Sequence, residues 1–242
     1  MSLPSRFTRN GNGQRKKTAE QARQYLKAHR KEFIHTFTKG YRESHPERPL
    51  SIFLAGSPGA GKTEYAQSLL TIDRDLLRID ADAVRAWLPM YTGDNSDVVQ
   101  QAASKGVDIL YDHALRKGIS IILDATFTPY TVVHQNVHRS LRRGRVVQVH
   151  YVYQDPLVAW QFTKDRELVE GRFVPKDVFV RKFFEAHENV RRIKEEYRHT
   201  VDLFVVLKDF SVQTKQFHAH VDDLQSIIKI PYNLRALTKK LR

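Results

Sequence analysis

Residues 56–63 read Gly-Ser-Pro-Gly-Ala-Gly-Lys-Thr. Glycines at Gly56, Gly59 and Gly61 let a backbone turn tightly enough to aim successive amide hydrogens at one centre, and phosphate oxygens fit such a centre. Ser57, Pro58 and Ala60 complete the loop, Lys62 offers a cation to the β- and γ-phosphates, and the Thr63 hydroxyl offers a ligand to Mg²⁺. Glu64 follows in the first turn of a helix whose N-terminal partial charge also favours anions. The pattern has meaning only between a strand and a helix. Here the apolar run 50–56 precedes it and a helical stretch over 62–71 follows it. The cofactors implied are ATP and Mg²⁺. A glycine turn that binds nothing is the bland alternative.

A second constellation lies at 78–85, Arg-Ile-Asp-Ala-Asp-Ala-Val-Arg. Asp80 and Asp82 close a short apolar run, and Arg85 follows three positions later. One chemistry for such a pair is helix capping, which suits Asp80. Another is a base that takes a proton from a hydroxyl, which needs a carboxylate where a strand ends. Asp124 ends a third apolar run, Ile121 to Leu123, and Thr126 follows it.

These residues need a scaffold. Apolar runs at 50–56, 75–80, 119–126, 145–153 and 201–208 read as strands. Helical stretches at about 62–71, 95–117, 130–143, 155–169 and 176–198 separate them. Strands alternating with helices pair in parallel through right-handed crossovers. The fold class expected is α/β, a doubly wound P-loop kinase-type sheet of about five parallel strands in a single domain over 1–242. Residues 1–13 read as a mobile polar arm, 17–43 as an N-terminal helix within an arm-and-helix segment 1–45, and 210–242 as a C-terminal extension with a helix at about 218–228.

Composition narrows the partners. The chain has 242 residues, 40 Lys and Arg against 27 Asp and Glu, and a net charge of +13. A basic balance suits polyanions, whether phosphorylated small molecules or nucleic acid. No cysteine is present, which excludes disulfides, thiolate metal sites and cysteine nucleophiles. No run reaches the ~18 apolar residues of a membrane span, and no secretory signal opens the chain, so the expected location is cytoplasmic, with no membrane partner. The chain lacks the base-reading Asn-Lys-x-Asp motif of common GTPases and the paired strand-end acids of motor ATPases. That favours transfer of phosphate to a bound hydroxyl. His134 and His138, at helical i, i+4 spacing, lack an evident third metal ligand.

The ordered set 56–63, 79–85, 122–126 and 166–179 resembles the zeta toxin family of P-loop kinases, over roughly residues 30–210. Characterised members are ATP-dependent kinases of the 3′-hydroxyl of UDP-N-acetylglucosamine, and many are held inactive by an antitoxin. The resemblance implies that Asp82 is the general base and that Arg85 contacts a carboxylate or substrate phosphate. It implies that Asp124 lies near metal and acceptor, where the family usually has the longer glutamate, and that Thr126 lines the same pocket. Asp108 matches an acidic substrate-binding position, with a solvated helix acid as the alternative. Arg166 and Arg172 match two lid arginines that neutralise the transferring phosphoryl, with surface arginines as the alternative. The partners implied are ATP, a nucleotide-sugar acceptor and an antitoxin. Rival readings are a kinase of another small molecule or dinucleotide, a nucleic-acid kinase, and a nucleotide-binding interaction module.

Overall fold

The computed structural model describes residues 7–41, 48–170, 173–209 and 213–241. Its central sheet has six strands: β1 (Leu50–Ala55), β2 (Leu77–Asp80), β3 (Ile121–Asp124), β4 (Val146–Tyr153), β5 (Val201–Lys208) and β6 (Thr214–His218). The order across the sheet is β2-β3-β1-β4-β5-β6. β1 pairs in parallel with β3 and with β4, and β4 pairs in parallel with β5. The expected strands are therefore present, within a residue or two at their ends.

β6 was not anticipated. It runs antiparallel to β5 across an irregularity at Leu207/Lys208. Its residues are exposed on both faces except at His218, so it lacks the alternating apolar signal that marks a strand in sequence. The helix expected at 218–228 is absent. A one-turn 3₁₀ segment, Leu224–Ser226, stands there, capped by Asp223, and a helix α9 (Leu234–Lys240) follows, capped by Asn233. The mobile arm expected over 1–13 does not hold from Phe7 onward, where helix α1 (Phe7–Ala28) begins, and the rest of that expectation lies outside the described residues. A break at His29 separates α1 from α2 (Arg30–Thr38).

The remaining helices are α3 (Lys62–Ile72), α4 (Ala81–Trp87), α5 (Gln100–Lys117), α6 (Tyr130–Leu141), α7 (Pro156–Glu170) and α8 (Lys176–Tyr197). α5 begins five residues later than the sequence suggested, after turns over 95–99. Among the described residues no helix is long and apolar enough to cross a membrane.

The chain divides into two compact units. The first comprises residues 1–40 and 80–113. Its core gathers Ala22, Leu26 and Phe33 from the N-terminal helices with Val84, Leu88, Ala103 and Leu110, all at most 2% exposed. The Trp87 ring meets Phe33 edge-on at 4.9 Å between centroids and Tyr25 at 5.3 Å. The second unit, residues 41–79 and 114–242, holds most of the sheet. One cluster, including Ile52, Leu54, Ala66, Ile122 and Val206, buries β1 under α3. Another, including Trp160, Phe179, Phe183 and Leu237, joins α7, α8 and α9. Burial at this density fixes the strand ends from which the loops depart.

Candidate active site

The second unit carries the phosphate loop. It leaves β1 at Ala55 and enters α3 at Lys62. Gly56 has φ +143°, and a Cβ there would lie 2.4 Å from the Val152 carbonyl oxygen on β4. Gly59 has φ +72°, and a Cβ there would lie 2.1 Å from the Ala159 carbonyl oxygen on α7. Only glycine fits at either place, so the loop is seated against β4 on one side and α7 on the other. Lys62 turns back over the loop, and its Nζ donates to the carbonyls of Gly56 at 3.0 Å and Ser57 at 2.7 Å. Ser57 and Ala60 are buried, while Thr63 and Glu64 are exposed at the head of α3.

Charge converges on Lys62. Loss of hydration lowers its pKa to about 8. The Asp124 carboxylate opposes that shift, Lys182 and Arg166 add to it, and Glu64 opposes it again. A crowded, partly dehydrated cation over a glycine loop is what a polyphosphate would relieve, because each phosphate oxygen brings negative charge to these groups. Arg166 lies on α7 one turn beyond Thr163, the buried residue whose methyl would meet a Cβ on Gly59 at 3.1 Å. It is half-buried. Arg172 and the adjoining Gly171 lie outside the described residues.

Asp124 ends β3. Its Oδ2 accepts from Arg78 twice, from Nε at 3.1 Å and from a terminal guanidinium nitrogen at 2.7 Å. Among the described residues its Oδ1 accepts no such bond. Thr126 and Thr128 share a hydroxyl contact of 2.9 Å in the loop that follows. Between them Phe127 is buried in a left-handed conformation, φ +63°, and its carbonyl accepts from the Asn189 amide at 2.9 Å. A bulky residue at positive φ stores strain that the surrounding contacts must hold.

A 480 Å³ cavity opens where β4 and β5 end, with Gln154, Asp155, Lys208 and Ile228 among its walls. Gln154 spans the two strand ends, donating to the Asp209 carbonyl and accepting from Asp155 N–H. The Asp155 carboxylate caps α7 by accepting from Leu157 N–H at 2.8 Å. The Lys208 ammonium lies 5.9 Å from the centroid of Tyr65 on α3, which places this cavity beside the phosphate-loop helix.

The first unit carries the acid pair. Asp80 caps α4, accepting from Asp82 N–H at 3.0 Å. Its role is therefore the local one its position suggested. The Asp82 carboxylate is 41% exposed and accepts from Arg85, whose second terminal nitrogen donates to Gln100. Arg85 is buried, and among the described residues its Nε has no hydrogen-bond partner. Asp108 is exposed on α5. His134 and His138 stack on α6 at 6.2 Å, and His134 pairs with Glu196 at 2.7 Å, an interhelical contact to α8. No cluster of three or more metal-ligating side chains forms among the described residues.

Sequence reasoning passed over Arg78, Lys182 and Gln154. For Arg78 a signal existed: an arginine in the middle of a four-residue strand that is otherwise apolar up to its last residue. Lys182 sits in a helix rich in basic residues, where nothing in the pattern distinguishes it.

The model of the zeta toxin family matches residues 18–221. The chain belongs to the zeta toxin family. Solved structures agree on the fold of this family member. A chain of the PezAT chromosomal toxin–antitoxin system of Streptococcus pneumoniae is 18% identical, with a TM-score of 0.64, covering 91% of this chain and 94% of that one. The AvrRxo1-ORF1:AvrRxo1-ORF2 complex contains a chain 16% identical, with a TM-score of 0.55, covering 86% of this zeta toxin family chain and 71% of its own. The same complex with ATP gives 17% identity, a TM-score of 0.54 and coverage of 86% and 70%. No curated protein matches the chain in sequence.

Proposed function

We propose that this zeta toxin family chain is an ATP-dependent small-molecule kinase that acts as a toxin in the cytoplasm. The observation that carries the proposal is the seated phosphate loop, with Lys62 turned over its carbonyls and Asp124, Arg166 and Lys182 within electrostatic reach. ATP binds with its phosphates in the loop and its base toward the cavity at the ends of β4 and β5. Thr63 would hold Mg²⁺ directly, and Asp124, whose Oδ2 is already bonded to Arg78, would hold it through water. The bound ion would neutralise charge on the β- and γ-phosphates.

Asp82 is the general base. The acceptor oxygen attacks the γ-phosphorus, a new P–O bond forms, the bond to the β-phosphate oxygen breaks, and ADP leaves. The hydroxyl proton passes to Asp82. Lys62, Arg166 and Arg172 stabilise the charge that spreads over the phosphoryl oxygens and the bridge. Arg85 and Asp108 belong to acceptor binding, and Thr126 to the pocket wall. The acceptor is UDP-N-acetylglucosamine. The family assignment supports that choice, as does a chain whose surplus of positive charge suits a diphosphate. The PezAT system pairs a toxin with an antitoxin, which supports an antitoxin partner here.

The test is a panel of acceptors incubated with ATP and Mg²⁺: UDP-N-acetylglucosamine, a free nucleoside, a dinucleotide and a short RNA, with products read by mass spectrometry. A phosphorylated sugar nucleotide is expected. A phosphorylated dinucleotide or RNA 5′ end, with the sugar nucleotide untouched, would replace the acceptor and leave the kinase chemistry standing.

A further inference from the structure

Asp124 is nearly enclosed, with 7% of its side chain exposed, and Arg78 beside it is 22% exposed. Two hydrogen bonds from one guanidinium to a single oxygen, Oδ2, fix both the rotation and the charge distribution of that carboxylate. Oδ2 is thereby occupied, and Oδ1 is the oxygen left to act on whatever enters the phosphate loop. An aspartate is one methylene shorter than a glutamate. A short carboxylate held back by a cation on the neighbouring strand reaches less far, and attracts a divalent ion less, than an unpaired one.

We propose that Arg78 is a positioning residue for phosphoryl transfer: it fixes Asp124 and offsets part of its charge, so that Asp124 meets the nucleotide's divalent ion through water instead of as a direct ligand. The proposal rests on the kinase reading above. It extends that reading to a residue on β2 that acts through its bonds to Asp124. Its energetic logic is that of an enclosed ion pair. Removing one member leaves the other uncompensated, and an uncompensated carboxylate facing a phosphate loop will seek the nearest cation.

The distinguishing variants are Arg78→Gln, Arg78→Lys, Asp124→Asn and the double variant. The primary readout is binding of a fluorescent ATP analogue titrated with Mg²⁺, which needs no turnover. Arg78→Gln is expected to lower the Mg²⁺ concentration for half-maximal nucleotide binding by about 3- to 10-fold, because Asp124 is released to ligate directly. It is expected to lower kcat by about 10-fold, through misplacement of the bound phosphates. Asp124→Asn is expected to raise the Mg²⁺ requirement. Arg78→Lys, which keeps the charge but not the paired bonds, should lie between Arg78→Gln and wild type. The double variant should match Asp124→Asn alone, since Arg78 acts through Asp124.

Three results would overturn the inference. Arg78→Gln is tested first by thermal melting: a lower melting temperature with unchanged Mg²⁺ requirement and kcat makes Arg78 only a structural residue. A double variant that differs from Asp124→Asn by the full Arg78→Gln factor, with a lower Mg²⁺ requirement and a lower kcat, means that Arg78 acts independently. Wild-type protein that binds the analogue without any Mg²⁺ dependence, or does not bind it, removes the kinase reading and this inference with it. The first two results leave the kinase reading intact.

Discussion

The two compact units solve different problems. In the second, the phosphate loop is specified by backbone geometry. Two glycines lie where a Cβ would come within 2.4 Å and 2.1 Å of carbonyl oxygens, and a lysine is bonded to the loop's own carbonyls. In the first, the Asp82 carboxylate is held by a side-chain network through Arg85 and onward to Gln100. A backbone cradle tolerates few residue types and leaves a spacing that can be read in any sequence. A side-chain network can be built in many ways, so it leaves little spacing to read. The contrast predicts that damage in the phosphate unit shows first in nucleotide binding, and damage in the acid unit shows in turnover.

The largest effect tests the phosphate unit. Lys62→Met should lower kcat by about 100- to 1,000-fold, because a fixed charge on the transferring phosphoryl is lost. It should also remove the rise in melting temperature that ATP gives the wild type. Turnover that survives this change would break the comparison from the nucleotide side.

Arg85→Gln tests the acid unit. The arginine is buried and bonds both Asp82 and Gln100. Its loss should cost about 0.5–1.5 kcal/mol of stability, read by chemical denaturation, because two hydrogen bonds from a buried side chain to more exposed partners are lost. Nucleotide affinity should stay within about twofold, since the bonds of Arg85 run to Asp82 and Gln100 and not to the phosphate loop. A large loss of nucleotide affinity would show that the two functions are not partitioned as described.

A pH profile sharpens the account of Lys62. Its pKa near 8 means that it is charged below that pH and increasingly neutral above it. Affinity for ATP should therefore weaken as pH rises through 8, by up to about tenfold per unit. Lys62→Arg should flatten that slope, because a guanidinium stays protonated throughout. The opposite slope would contradict the charge assignment.

A core group gives the smallest functional effect. His150 on β4 accepts or donates at Nδ1 to the Tyr65 hydroxyl at 2.7 Å, and burial lowers its pKa to about 4. The unfolded chain binds this proton near pH 6.5 and the folded chain does not until about pH 4. Stability is thus full above 6.5 and falls as pH drops toward 4, by about 3 kcal/mol over that window. His150→Gln should shrink the acid-dependent part of the denaturation profile and leave kcat at neutral pH unchanged.

The limits of the sequence follow the same physics. β1, β3, β4 and β5 are nearly continuous apolar runs because parallel strands are covered on both faces, and such runs announce themselves. β6 is exposed and only five residues long, so its pairing with β5 is settled by hydrogen bonds that no residue pattern encodes. Asp80 could be read as a cap because capping is local. The Arg78–Asp124 pair spans 46 positions and two strands, so neither residue alone signals the other. Lys182 converges with Arg166 on Lys62 only after α7 and α8 have packed through Trp160 and Phe179, whose rings meet at 5.2 Å.

The central claim is the proposal that ATP binds at the phosphate loop and that Asp82 removes the acceptor's proton. It is tested most directly by measuring Asp82→Ala in two ways on the same preparation: ATP affinity by calorimetry, and phosphoryl transfer to UDP-N-acetylglucosamine by mass spectrometry. The account predicts ATP affinity within about twofold of wild type and transfer reduced by about 100- to 10,000-fold, the range for loss of a general base. Transfer at the wild-type rate, or loss of ATP binding in step with loss of transfer, would contradict it.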